Sequence, residues 1–249
     1  MASANTANIK PTAVNYGVDD PQAIARWNGR AGWAAGLGLF VYIINRAEYP
    51  APSLRILFVL LLIALACAAV GWLKKSYSQN GKLQLREQLL DSLSLTGTEK
   101  VLDVGCGAGL LAIGAAKRLK TGKVTGIDVD ENELATAKEN AKLEGVGDRV
   151  RFENGFAKSA THKLVFPDNN FDVVVCNRTF GQLADDNDRK QILSEMHRVL
   201  APGGRVLIFD SFDSGFAAQL LHGAGAKNVT LSSWSFPWLI PHRSVMASK

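Results

Sequence analysis

The chain has 249 residues, 47% of them hydrophobic and 20% charged, with three cysteines and a formal charge of +5. That apolar fraction excludes a disordered chain, and so few cysteines exclude a disulfide scaffold. At this length one α/β domain with an appendage is expected, rather than two full domains.

The charge is unevenly spread. Residues 1–82 hold eight Lys or Arg against three Asp or Glu, and residues 83–249 hold twenty of each. The mean hydropathy of +0.03 and the pI near 9.1 are therefore averages over two unlike regions. A high pI points to nucleic acid only where the charge forms a face that meets phosphate. Here it flanks apolar segments, so the expected partner is a lipid bilayer with anionic headgroups, and no nucleic acid. Cys67, Cys106 and Cys176 make no ligand spacing and the four histidines do not cluster, so no metal site is expected.

In chain order, residues 1–30 form a polar N-terminal segment, unlike a secretory signal peptide. A membrane anchor is expected over 31–75. Its first apolar run, 31–44, lies between Arg30 and Arg46 and carries Trp33 and Tyr42. Its second, 56–73, is uncharged and bounded by Arg55 and by Lys74 and Lys75. Eighteen helical residues reach roughly 27 Å, about one hydrocarbon core. Pro50 and Pro52 lie between the runs and suggest a loop over 45–55, hence a transmembrane hairpin. The alternative is one span beside an interfacial helix. The basic residues after the second run place the remainder of the chain in the cytoplasm.

Residues 76–249 read as a catalytic domain. After a helical pattern at 83–93, strands are expected at 101–104, 123–128, 149–153, 171–176 and 205–210. Helices are expected at 109–120, 131–144, 187–199 and 214–224. This alternation predicts a parallel sheet with helices on both faces. The last two strands, near 227–233 and 242–248, have no helix between them and should pair antiparallel.

The chemistry gathers at VLDVGCGAG, 101–109. Gly105, Gly107 and Gly109 let the backbone turn sharply and approach a ligand. Asp128, at the end of the second strand, is placed to accept ribose hydroxyls. Leu110 stands where a dinucleotide fingerprint needs its third glycine, and no Lys-Ser/Thr pair follows, which argues against NAD and against a P-loop. Asp103, just before the turn, is a poor neighbour for pyrophosphate but suits a ligand bearing an ammonium and a sulfonium.

These motifs, with FPDNNFDVVVCN and MHRVLAPGGRVLIFD further on, resemble the class I S-adenosylmethionine-dependent methyltransferases of the small-molecule and quinone-methylating type. The resemblance covers about 95–249. It implies an α/β, Rossmann-like doubly wound sheet of seven strands with the last antiparallel. It also implies S-adenosyl-L-methionine as cofactor, held by Asp103, Gly105, Cys106, Gly107, Gly109, Asp128, Val129, Phe156, Ala157 and Asn177. Many relatives carry an Asp after the third strand where this chain has Phe156, so adenine would be held by stacking and backbone contacts. The connection 158–166, with His162, is longer than usual.

Methyl transfer from a sulfonium is an in-line displacement that chiefly needs alignment and a dry pocket. The sequence therefore need not display a catalytic residue, and Asn177 and His242 are only weak candidates. The residues after Asn177 are Arg178, Thr179 and Phe180, so the motif of amine-methylating relatives is absent. His197 and His222 lie on helical patterns. Trp234, Phe236, Trp238 and Leu239, in the connection 233–242, suit either core packing or a lid at a membrane surface. Residues 15–21 suit either a cap over the cofactor or a tail. The expected function is methylation of a lipophilic or membrane-associated small molecule. A catalytically idle cofactor-binding membrane module is the alternative.

Overall fold

The computed structural model describes residues 13–17, 21–155, 163–180, 183, 185–210, 214–236 and 241–249. These divide into two bodies: residues up to Tyr16 and from Gln84 onward belong to one, Gly17–Leu83 to the other.

The smaller body is a pair of helices, α1 (Pro21–Asn45) and α2 (Pro50–Ser76), followed by a π-helical turn over Tyr77–Gly81. Gly38 of α1 faces Leu57 and Leu60 of α2, and Gly71 of α2 faces Trp27 and Asn28 of α1, so the helices run antiparallel. The loop is shorter than expected. Pro50 and Pro52 occupy the first turn of α2 instead of the connection, because proline lacks only an N–H that a first helical turn leaves unbonded anyway. Trp33, Phe40, Phe58, Leu65 and Trp72 are exposed on this pair. Among the described residues, one helix, lying in the run Pro50–Ser92, is long and apolar enough to cross a membrane.

The larger body starts with α3 (Lys82–Ser92) and then alternates strand and helix. Its elements are β1 (Lys100–Val104), α4 (Leu110–Arg118), β2 (Lys123–Ile127), α5 (Glu131–Leu143), β3 (Val150–Glu153), β4 (Phe171–Asn177), α6 (Asp186–Val199), β5 (Leu200–Asp210), α7 (Ser214–Gly223), β6 (Lys227–Leu231) and β7 (Arg243–Ser248). Seven strands form one sheet in the order β3-β2-β1-β4-β5-β7-β6. β1 to β5 pair in parallel, while β7 runs antiparallel to both β5 and β6. The last strand thus slots inside the sheet and β6 forms the edge.

Burial explains the strand sequences. β1 and β4 are covered on both faces, so Val173, Val174 and Val175 run unbroken in β4, while Val101, Leu102 and Val104 of β1 are interrupted only by the buried Asp103. Two helix starts carry side-chain caps. Asp130 accepts the amides of Asn132 and Glu133 ahead of α5, and Asp185 accepts that of Asp188 ahead of α6. Because β1 has β2 on one side and β4 on the other, the order reverses at β1, and a crevice is expected beyond its C-terminal end.

Candidate active site

β1 ends in Asp103 and Val104, and the turn Gly105–Gly109 leads into α4. The positive φ angles of Gly105 (70°) and Gly109 (86°) lie in the left-handed region that glycine tolerates. Space forbids a side chain as well. A Cβ on Gly105 would fall 2.6 Å from Thr179 Cβ, and one on Gly109 would lie 2.9 Å from Phe152 Cζ. The turn is held from below: the amides of Gly105 and Cys106 both donate to the Ile127 carbonyl, at 2.8 and 2.9 Å. The Thr179 hydroxyl donates to the Gly105 carbonyl at 3.2 Å.

Asp128, at the end of β2, faces this turn. One of its oxygens accepts the Gly107 amide at 2.8 Å and the other the Asp130 amide at 3.0 Å. The carboxylate is therefore oriented before any ligand arrives, and each oxygen keeps a further lone pair. Val129 comes next with 70% of its surface exposed, an isolated apolar side chain beside the carboxylate.

Asp103 is only 1% exposed. Its Oδ2 accepts the Ala112 amide at 2.9 Å, while its Oδ1 is buried without a hydrogen-bond partner. Burial pushes its carboxyl up to about 7. The Ala112 amide opposes that rise and the negative charge of Asp128 adds to it. A buried, half-satisfied carboxyl of this kind is costly unless a cation completes it.

Two residues act differently from expectation or outside it. The Cys106 thiol is buried against the Gly126 backbone, and burial pushes its pKa up, so this residue presents no thiolate. Thr179, which supports Gly105, carried no motif to mark it.

Asn177 ends β4, and its buried Oδ1 also has no hydrogen-bond partner. It pairs in register with Phe209, on which the buried ring of His242 stacks with centroids 5.2 Å apart. Both weak catalytic candidates therefore come to the C-terminal side of the sheet. His197 lies on α6 with its Nε2 buried, and His222 is exposed on α7. Trp234 and Phe236 are exposed, and the Arg243 guanidinium lies 4.9 Å from the Trp234 ring centre. That excludes the core role for these two. Phe156, Ala157, His162, Trp238 and Leu239 lie outside the described residues.

A cleft of about 680 Å³ elsewhere, along β2, β3 and α5, is lined by Lys123, Lys138, Arg149 and Arg151 and includes none of the glycine turn.

Residues 101–204, from β1 into β5, match the family model described as a methyltransferase domain. That stretch of the chain is therefore similar to a methyltransferase domain. A probable methyltransferase, ltbC of Aspergillus luteorubrus, is 37% identical over 124 residues, or 48% of this chain and 42% of that protein. The demethylmenaquinone methyltransferase of Geobacillus kaustophilus is 35% identical over 130 residues, 52% of each chain. The chain thus spans about half the length of the curated relatives it matches. A solved structure of a SAM-dependent methyltransferase from Aquifex aeolicus superposes with a TM-score of 0.54 at 24% identity, over 68% of this chain and 92% of that one. The larger body shares the Rossmann-like fold of that protein.

Proposed function

We propose that this protein is a membrane-anchored methyltransferase that uses S-adenosyl-L-methionine to methylate a lipophilic small molecule. The observation that carries the reading is the unpartnered, buried Asp103 oxygen beside a glycine-rich turn, opposite an oriented Asp128. These residues fit the cofactor's three chemical features. Asp103 would balance its positive charge, the Gly105–Gly109 backbone would hold its amino-acid part, and Asp128 would accept from its ribose hydroxyls. Val129 offers an apolar surface next to that ribose site.

The cofactor, when bound, supplies an electrophilic methyl group on sulfur. What remains for the chain is to orient the acceptor and exclude water. Asn177, at the end of β4, is suited to orient an acceptor through its unpartnered oxygen. His242 is suited to take a proton where the acceptor is a hydroxyl.

The anchor supports a lipophilic acceptor. α2 is long and apolar enough to span, α1 lies against it, and their exposed surfaces carry Trp33, Phe40, Phe58 and Leu65. Lys74 and Lys75 at the end of α2 favour the cytoplasmic side for the methyltransferase domain. Trp234 and Phe236 suit contact with a headgroup layer. A relative's name, demethylmenaquinone methyltransferase, points to acceptors of the quinone kind.

Incubating the full-length protein with methyl-labelled cofactor and bilayer lipid extract tests the activity. Label in the organic phase is expected. Tight cofactor binding with no transfer to any extracted lipid or metabolite would favour the idle module instead. Carbonate washing of membranes tests the anchor: the protein should stay in the pellet, and its release would refute spanning.

A further inference from the structure

Asn140 lies on the buried stripe of α5 with Ala137 and Ala141, and only 2% of it is exposed. A buried primary amide has an acceptor and two donors to satisfy. Its Oδ1 accepts the Asn15 backbone N–H at 2.8 Å. Its Nδ2 donates to the Asn15 carbonyl at 2.8 Å and to the Ala108 carbonyl at 3.0 Å. One side chain therefore bonds both the segment that precedes α1 and the middle of the glycine turn. It meets Asn15 as a neighbouring strand would, through a reciprocal donor–acceptor pair.

A second set of contacts holds the same segment. Glu144 lies four residues beyond Asn140, so both project from one side of α5. Its Oε1 accepts the Tyr16 hydroxyl at 2.7 Å, and Arg86 of α3 reaches the same hydroxyl at 3.5 Å. Lys117 of α4 pairs with the other Glu144 oxygen. Burial and the Glu144 carboxylate push the Tyr16 hydroxyl up, so it remains a donor. Burial acts to raise Glu144 too, but Lys117 and Tyr16 outweigh it and hold the acid below its ordinary range.

We propose that Asn140 is a positioning residue that links docking of Asn15 and Tyr16 to the shape of the Gly105–Gly109 turn. With the segment docked, Asn140 is held in place to bond Ala108, and the turn keeps one conformation. With the segment released, the Asn140 amide loses two of its three bonds, and its hold on Ala108 loosens. The inference rests on reading that turn as the cofactor site, and its test separates the two.

The test uses the full-length protein with Tyr16→Ala, Asn140→Ala and both together. Amide hydrogen exchange is followed without ligand over residues 105–110, and S-adenosylhomocysteine binding is followed by calorimetry. Tyr16→Ala, placed at the Glu144 end of the network, should speed exchange in the turn about tenfold and weaken binding about five- to tenfold. Asn140→Ala should do the same, and the double variant no more than either alone. Faster exchange confined to residues 13–17, with the turn and binding unchanged, would overturn the proposal, as would effects that simply add. Should Asn140→Ala fail to fold, Asn15→Pro removes the Asn15 N–H and is judged by the same two readouts. If the unaltered protein does not bind the ligand at all, the cofactor reading fails, while the exchange result still decides the coupling.

Discussion

With Asp103 as the proposed partner of the cofactor's ammonium, cofactor affinity should depend on pH in a calculable way. In the free site its carboxyl is pushed up to about 7, first by burial and then by Asp128, against the Ala112 amide. A ligand ammonium meets an ionised partner only above that value, so protonation competes with binding below it. With the bound-state value well under 5.5, the association constant falls roughly 25-fold between pH 7.5 and pH 5.5. At pH 6.5, binding should release about three-quarters of a proton. Calorimetry with S-adenosylhomocysteine in two buffers of different ionisation enthalpy reads both quantities. Asp103→Asn should flatten the profile and lower affinity at pH 7.5 by roughly 10- to 100-fold, the scale of a lost charge-assisted hydrogen bond. An affinity in the unaltered protein that moves less than threefold over this range, with no proton released, would rule out this role for Asp103. Stability without ligand should run the other way. A carboxyl raised on folding favours the folded state at low pH, and that contribution is lost as pH rises from about 4 through about 7.

Asp128→Ala should weaken S-adenosylhomocysteine binding by roughly 1–3 kcal/mol, and unchanged affinity would show the ribose site to be misplaced. Gly109→Ala forces a left-handed alanine against Phe152 and Ala137. It should cost at least about 2 kcal/mol, lowering the domain's melting temperature by roughly 4–8 °C in calorimetric scans. Glu99 is only 6% exposed, and burial acts to raise it. The Thr96 and Gly97 amides and the Thr96 hydroxyl outweigh this and hold it at about 2. Its contribution is present above its ordinary value of 4.5 and lost as pH falls through about 2. Glu99→Gln should therefore cost about 2–3 kcal/mol at pH 7 by denaturant unfolding, a difference that vanishes near pH 2.

The sheet and the geometry of its glycine turn were legible because their determinants are local. A buried parallel strand reads as an apolar run, and Gly105, Gly109 and Asp128 stand at strand ends where few other residues fit. The prolines misled for a local reason too, since Pro50 and Pro52 satisfy a first helical turn as readily as a loop. Asn140 was legible only in part. A polar side chain on the stripe of Leu134, Ala137 and Ala141 signals a buried bond, but its partner Asn15 lies 125 residues away. Thr179 is similar: what marks it is the space that Gly105 leaves, 74 residues earlier in the chain.

The docking of Asn15 and Tyr16 also sets a parity rule. The chain leaves the larger body at Tyr16 and rejoins it by Gln84. A polymer that departs from and returns to one folded object crosses an intervening bilayer an even number of times. If α2 spans, the return crossing falls to α1, whose 25 residues make about 37 Å of helix, long enough although less apolar than α2. A glycosylation acceptor engineered into the turn at Arg46–Tyr49 would then be modified in a microsomal assay, while one at the N-terminus would not.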